Sequence, residues 1–153
     1  MPTVSERLAQ LRIELPAVAA PVAAYVPAVR TGNQVWTSGQ LPFVDGHLAA
    51  TGKVDEDVTP EEAARLARSA ALNALAAVDA LVGIDKVTRV LKLVGFVASA
   101  PGFTGQPAVI NGASDLMGEV FGEAGAHARS AVGVAELPLG SPVEIELIVE
   151  VAD

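Results

Sequence analysis

Arg129 is the residue best suited to recognise a substrate. It follows a Gly-rich segment (Gly122, Gly125) that closes a predicted helix, and it opens a predicted strand otherwise free of positive charge. A guanidinium there can grip a carboxylate through two parallel hydrogen bonds, or it can spend the same donors on a structural ion pair with a strand glutamate. Glu144 and Glu146 alternate with Val143, Ile145 and Leu147, so their side of the strand is an interface, a cavity or a solvated face. In the first two settings desolvation raises a carboxyl pKa toward the general-base range, where it can hold or activate a water. In the third it is only a polar sheet surface. Thr37-Ser38-Gly39-Gln40-Leu41-Pro42 closes another predicted strand. Ser38 lies outside any G-x-S-x-G elbow and has no histidine placed as its base, which argues against a serine nucleophile. Gly39 would let backbone groups approach a ligand closely. Tyr25 can be a packing residue and Trp36 is expected to be one, and none of Lys53, Lys86 and Lys92 sits in a Schiff-base setting.

Other chemistries drop out on composition. The 153 residues contain no Cys, which excludes disulfides, thiolate metal sites and Cys nucleophiles. His47 and His127 are the only histidines and lie far apart, so no metal is expected. Ten Lys and Arg against 18 Asp and Glu give a net charge of −8, a field that repels phosphate backbones and anionic lipid; nucleic-acid and membrane partners are not expected. The uncharged run 15–29 has the length of a secretory h-region, but Pro16, Pro21 and Pro27 interrupt it and mixed charges precede it. No stretch reaches a membrane span, and the lack of Cys suits a cytoplasmic location. With 51% apolar and only 4% aromatic residues, the core must be built from Ala and Val. So apolar a chain with so few charges is expected to hide surface against further copies of itself.

These residues need elements to position them. Residues 4–14 place Val4, Leu8 and Leu11 on one helical stripe. Segments 22–30 and 33–40 read as strands separated by Thr31-Gly32, where Gly32 and the following Asn33 favour a tight hairpin turn, and a short strand is expected at 47–52 after Asp45-Gly46. The clearest helix runs from 60 to 82, with Thr59 as N-cap, Pro60 at the first position, Glu62 completing a capping box and Gly83 as stop. Residues 86–98 alternate as a strand, with Val87, Arg89, Leu91 and Leu93 on one side and Val90, Lys92 and Val94 on the other. A helix follows at 108–123, weakened by Gly112 and Gly118. Strands 129–136 and 142–151 then flank a turn at 137–141 and read as a β-hairpin. The order describes an α+β fold with two main helices on one face of a mixed sheet, in one domain spanning 1–153 with residues 1–15 as a helical extension.

Three segments carry a family resemblance. Gly32-Asn33-Gln34-Val35-Trp36-Thr37-Ser38-Gly39-Gln40-Leu41-Pro42 resembles the first signature of the Rid/YjgF family of reactive imine and enamine deaminases. Ala71-Leu72-Asn73-Ala74-Leu75 with Gly83-Ile84-Asp85-Lys86-Val87 is similar to its first helix and following strand. Ala128-Arg129-Ser130-Ala131-Val132-Gly133-Val134-Ala135, then Leu137-Pro138 and Val143-Glu144-Ile145-Glu146, resembles its C-terminal signature. The resemblance implies a chorismate-mutase-like fold, a homotrimer with clefts between subunits, and hydrolysis of 2-imino or 2-enamino acids without metal or organic cofactor. It implies Arg129 as the carboxylate-binding arginine, Glu144 as the water-positioning glutamate, and Tyr25, Ser38, Gly39 and Asn111 as cleft residues. Ala131 stands where members often carry Cys or Thr, and the segment 98–125 marks a longer subgroup whose members also carry endoribonuclease labels. The substrate class is thus a small carboxylate-bearing metabolite; the alternatives are a non-catalytic carboxylate-binding module and, against the charge, an RNA-cleaving enzyme.

A hairpin centred near Leu139 would set Arg129 opposite Val149 and Glu144 opposite Val134, which separates the two functional positions by roughly 17 Å along the strands. One small substrate could not bridge them, so a site composed from two subunits is expected.

Overall fold

The computed structural model describes residues 1–18 and 24–153. Along these the elements are α1 (Val4–Gln10), β1 (Ala28–Thr31), β2 (Gln34–Thr37), β3 (Phe43–Val44), β4 (His47–Leu48), α2 (Pro60–Val82), β5 (Val87–Ala98), α3 (Gln106–Phe121), β6 (Ala128–Val134) and β7 (Val143–Val151). Five strands form one sheet in the order β1-β2-β7-β5-β6, while β3 and β4 make a separate two-stranded ribbon. Only β5 and β6 run parallel, joined by α3 as a crossover; all other neighbours in the main sheet are antiparallel. The sheet is therefore mixed, as the α+β reading expects.

Helix α2 starts where its cap signals demand. The Thr59 hydroxyl accepts from the Glu62 N–H at 3.1 Å, Pro60 occupies the first turn, and Gly83 at φ 86° ends the helix in a conformation costly for any side chain with a Cβ. Its small-residue stripe, including Ala63, Ala67, Ala70, Ala74 and Ala77, is buried against the sheet. The same face of the sheet is covered by α3, so Val35, Leu93, Val97, Ile145, Leu147 and Val149 lose essentially all contact with water. Gly112 on α3 faces the backbone of α2 so closely that a Cβ there would overlap the Ala64 carbonyl. The glycine that weakens α3 as an isolated helix is what lets it lie against α2. Helix α1 docks through Leu8, which is 5% exposed, and is pinned by Ser5, whose N–H and hydroxyl each donate to Asp85 at 2.7 Å. Those two bonds, the hydroxyl first, hold the Asp85 carboxyl below its ordinary pKa.

Several expectations need correction. The C-terminal hairpin does not form: β6 and β7 flank β5 on opposite sides, and neither pairs with the other. The chain leaves β6 at Val134, crosses the end of β5 and returns as β7, with Ser99 N–H bonding Val134 O and Ala98 N–H bonding Pro142 O at the crossing. A short Gly/Pro linker between antiparallel strands is common to a hairpin and to two strands that straddle a third, which is why sequence pattern alone chooses the simpler arrangement. Strict alternation in β5 also fails. Register shifts at Val87/Arg89 and Val90/Lys92 place Val90 in the core with Val87 and Leu93, and leave Leu91 only half-buried. The strand expected at 47–52 stops at Leu48, α1 stops at Gln10, and β1 begins at Ala28; the expected start of that strand at 22–23 lies outside the described residues. Trp36 is not a core residue: it is 47% exposed on the uncovered side of the sheet, its indole N–H donating to Gln34 Oε1 at 3.0 Å.

Candidate functional site

Arg129 lies on β6, the edge strand of the sheet beside β5. It is the register partner of Leu93, whose other partner is Leu147, and both leucines point into the helix-covered core. The Arg129 side chain therefore leaves on the helix side and reaches the flank of α3. There Nη1 donates to Asn111 Oδ1 at 2.8 Å and to Ser114 Oγ at 3.2 Å, while Nη2 approaches Pro107 O at 3.5 Å. Asn111 and Ser114 are three residues apart on α3 and so share one face of the helix. Nη1 thus has two acceptors and Nη2 one long contact, while Nε–H, which shares an edge of the planar group with Nη2, makes no bond to the described residues. That edge is the one that takes a carboxylate side-on. The ion pair with a strand glutamate does not occur; the ion pairs found among the described residues are Lys53–Glu136 and Arg68–Glu119.

A second cluster forms where β2 ends. Gln40 and Ile145 exchange backbone bonds of 2.7 and 3.0 Å, and this bridge lays Gly39 against the side chain of Glu144. A Cβ on Gly39 would stand 2.8 Å from Glu144 Cδ and 2.9 Å from Oε2. Ser38 is tied to the chain ahead of β1, its N–H donating to Pro27 O at 2.8 Å and its hydroxyl to Val26 O at 2.6 Å. Tyr25, next to Val26, is 44% exposed. Glu144 and Glu146 are half-buried on the side of the sheet away from the helices. Burial, and secondarily the like charge of Glu146, raise the Glu144 pKa; burial alone raises that of Glu146.

The predicted residues thus fall into two groups, Arg129 with Asn111, and Ser38 and Glu144 with Gly39 between them and Tyr25 close by in the chain. Phe96 pairs with both Glu144 and Val132, so Glu144 stands level with a residue three beyond Arg129 and two strands across. That separates the two Cα positions by about 14 Å, with side chains on opposite faces. The hairpin register is wrong and the separation is shorter than the roughly 17 Å it implied; what keeps the two side chains apart is that they leave opposite faces of the sheet. Sequence reading missed Ser114 and His127. Their signal was present: Ser114 follows Asn111 by a helical turn, and His127 precedes Arg129 by the two residues that return a strand to the same face.

A mixed five-stranded sheet with two helices on one face, a parallel β-α-β crossover at one edge and a return strand inserted in the middle defines an α+β class of small proteins. Residues 5–151 match the family described as "YjgF/chorismate_mutase-like, putative endoribonuclease", and the chain belongs to that family. It is 47% identical over 149 residues to Protein TCP17 of Trypanosoma cruzi, covering 96% of this chain and 93% of that one. It is 34% identical over 138 residues to the 2-iminobutanoate/2-iminopropanoate deaminase of Dermatophagoides farinae, covering 90% and 93%. Among solved structures it superposes on the protein Atu1372 of Agrobacterium tumefaciens, of unknown function, with a TM-score of 0.89 and 48% identity over 97% of this chain and 92% of that one.

Proposed function

We propose that this protein hydrolyses 2-imino and 2-enamino acids to 2-keto acids and ammonia, in clefts between the subunits of a homotrimer and without a metal or organic cofactor. The observation that carries the reading is the Arg129 guanidinium, clamped through Nη1 by Asn111 and Ser114, with Nε–H unspent among the described residues and only a long contact from Nη2 to Pro107 O. The similarity to an imine deaminase supports it. Arg129 takes the substrate carboxylate. Glu144 of a neighbouring subunit holds a water and accepts one of its protons as the oxygen attacks the C=N carbon of the imine, the tautomer through which an enamine reacts; that proton passes to the nitrogen to give the carbinolamine. The remaining hydroxyl proton then moves through Glu144 to the nitrogen as the C–N bond breaks, leaving the 2-keto acid and ammonia. A carboxyl whose pKa is raised by burial suits both halves of that exchange. Imines already react with water, so orientation and charge stabilisation are what the cleft must add. Tyr25, Ser38 and Gly39 line the Glu144 half of the cleft.

An amino-acid oxidase that generates 2-imino acids in the presence of semicarbazide supplies the test. The protein is expected to divert the imines from the trap to free 2-keto acid. Trapping that proceeds at the same rate with and without the protein overturns the reading. Carboxylate binding retained in Glu144→Gln, with no turnover by the wild type, would make the protein a binding module instead. The net charge of −8 stands against RNA as substrate.

A further inference from the structure

Arg129 is not held by Asn111 alone. Ser114 Oγ, which accepts from Arg129 Nη1 at 3.2 Å, is also 2.9 Å from His127 Nε2, and His127 Nδ1 is 2.6 Å from the Gly125 carbonyl. The directions of these bonds are fixed from one end. A carbonyl only accepts, so Nδ1 carries the proton of the ring. In the neutral imidazole Nε2 is then bare and only accepts, so the Ser114 hydroxyl must donate to it. What Ser114 turns toward Arg129 is therefore a lone pair. Gly125 is itself tightly packed: it is buried, and a Cβ there would overlap the Met117 carbonyl of α3. The chain of bonds runs from the backbone of the turn after α3, through His127 and Ser114, to the guanidinium.

We propose that His127, acting through Ser114, is a positioning residue that holds the Arg129 guanidinium rotated so that its Nε/Nη2 edge faces the substrate carboxylate. The inference rests on the imine-hydrolase reading for its kinetic consequence, though not for its structural one. Without Ser114 the guanidinium keeps the 2.8 Å bond to Asn111 and a long 3.5 Å contact from Nη2 to Pro107 O, a weak hold against rotation; the second acceptor on Nη1 removes that freedom. An alanine at 114, or an apolar ring at 127, should free the edge to turn away.

The experiment has two arms. In the first, nitrogen NMR of the imidazole in the wild-type protein at neutral pH should show a protonated Nδ1 and a bare Nε2. Slow rotation of the Arg129 Nη groups should become fast in Ser114→Ala and stay slow in His127→Gln, whose amide keeps one donor and one acceptor. A proton on Nε2, or Arg129 dynamics unchanged in Ser114→Ala, overturns the proposal. In the second arm, Ser114→Ala and His127→Phe should raise KM for a 2-imino acid by about tenfold, with kcat nearly unchanged, as loss of a charge-assisted hydrogen bond to the binding group implies. His127→Gln should restore KM to within about threefold of wild type. An unchanged KM in Ser114→Ala, or a loss of kcat that Gln does not rescue, overturns the proposal. If wild type lacks imine hydrolysis altogether, the functional reading fails, and the NMR arm still decides the role of His127. Should His127→Phe fail to fold, Ser114→Ala and His127→Gln carry both arms.

Discussion

Arg129 and Glu144 leave the same sheet from opposite faces, two strands and three residues apart. Within one protomer the guanidinium lies against α3 and the carboxylate lies against Gly39 on the uncovered side. If both serve one small substrate, they do so from different copies of the chain. In the proposed homotrimer, Arg129→Ala and Glu144→Gln should each cost about a hundredfold or more in kcat/KM. Mixed trimers formed by subunit exchange should recover part of it, because some clefts then contain both native residues. No recovery in mixed trimers verified by mass would refute the shared cleft.

Gly39 should be intolerant of a side chain for a local reason. A methyl at this position meets the end of the Glu144 side chain at 2.8 and 2.9 Å, and that end can rotate away where a backbone could not. Gly39→Ala should therefore fold with near-wild-type stability and lose turnover because Glu144 is displaced. A large drop in Tm with activity per folded protein retained would contradict this.

The two raised carboxyls predict a pH dependence of stability. Glu144 and Glu146 keep their protons to higher pH in the folded chain than in the unfolded one. The folded state therefore binds more protons as pH climbs above their ordinary value of 4.5, and stability declines through that window up to the raised pKa values. Glu146→Gln removes one penalised charge and the like charge beside Glu144. Thermal melts should show the variant gaining stability at about pH 8 and little at about pH 4. It should also lower the pKa of Glu144 and shift the acidic limb of the pH–rate profile downward. A gain confined to acid pH would have the wrong sign.

Gly112 should be the most sensitive position on α3. Its missing Cβ is what allows the α2 backbone to pass at Ala64. Gly112→Ala should cost about 3 kcal/mol, at the upper end for overpacking, despite the gain in helix propensity. Denaturant unfolding reads this directly; a neutral or stabilising change would mean that the helices separate freely. Gly118, with nothing near its missing Cβ, should instead tolerate Ala.

What the sequence determined by itself is whatever depends on neighbours along the chain. The N-cap at Thr59, the stop at Gly83, the small-residue stripe of α2 and the inward row Val143, Ile145, Leu147, Val149 and Val151 follow from local bonds and from periods of 3.6 and 2. Family membership was legible for the same reason, since its signatures are contiguous. The choice of strand partners was not. An antiparallel return is locally the same whether β7 pairs with β6 or crosses β5 to pair on its far side, and only burial of β5 on both edges selects the second. The bulges that bring Val90 inward are likewise set by register against β7 rather than by the β5 sequence. The site shows the same division. Arg129 and Glu144 were recognisable by type and setting, but their faces, and the bonds from His127 and Ser114 that orient the guanidinium, exist only because α3 and the turn after it pack beside β6. Local periods put Ser114 on the face of Asn111 and His127 on the face of Arg129, but only contact between distant segments brings those two faces together.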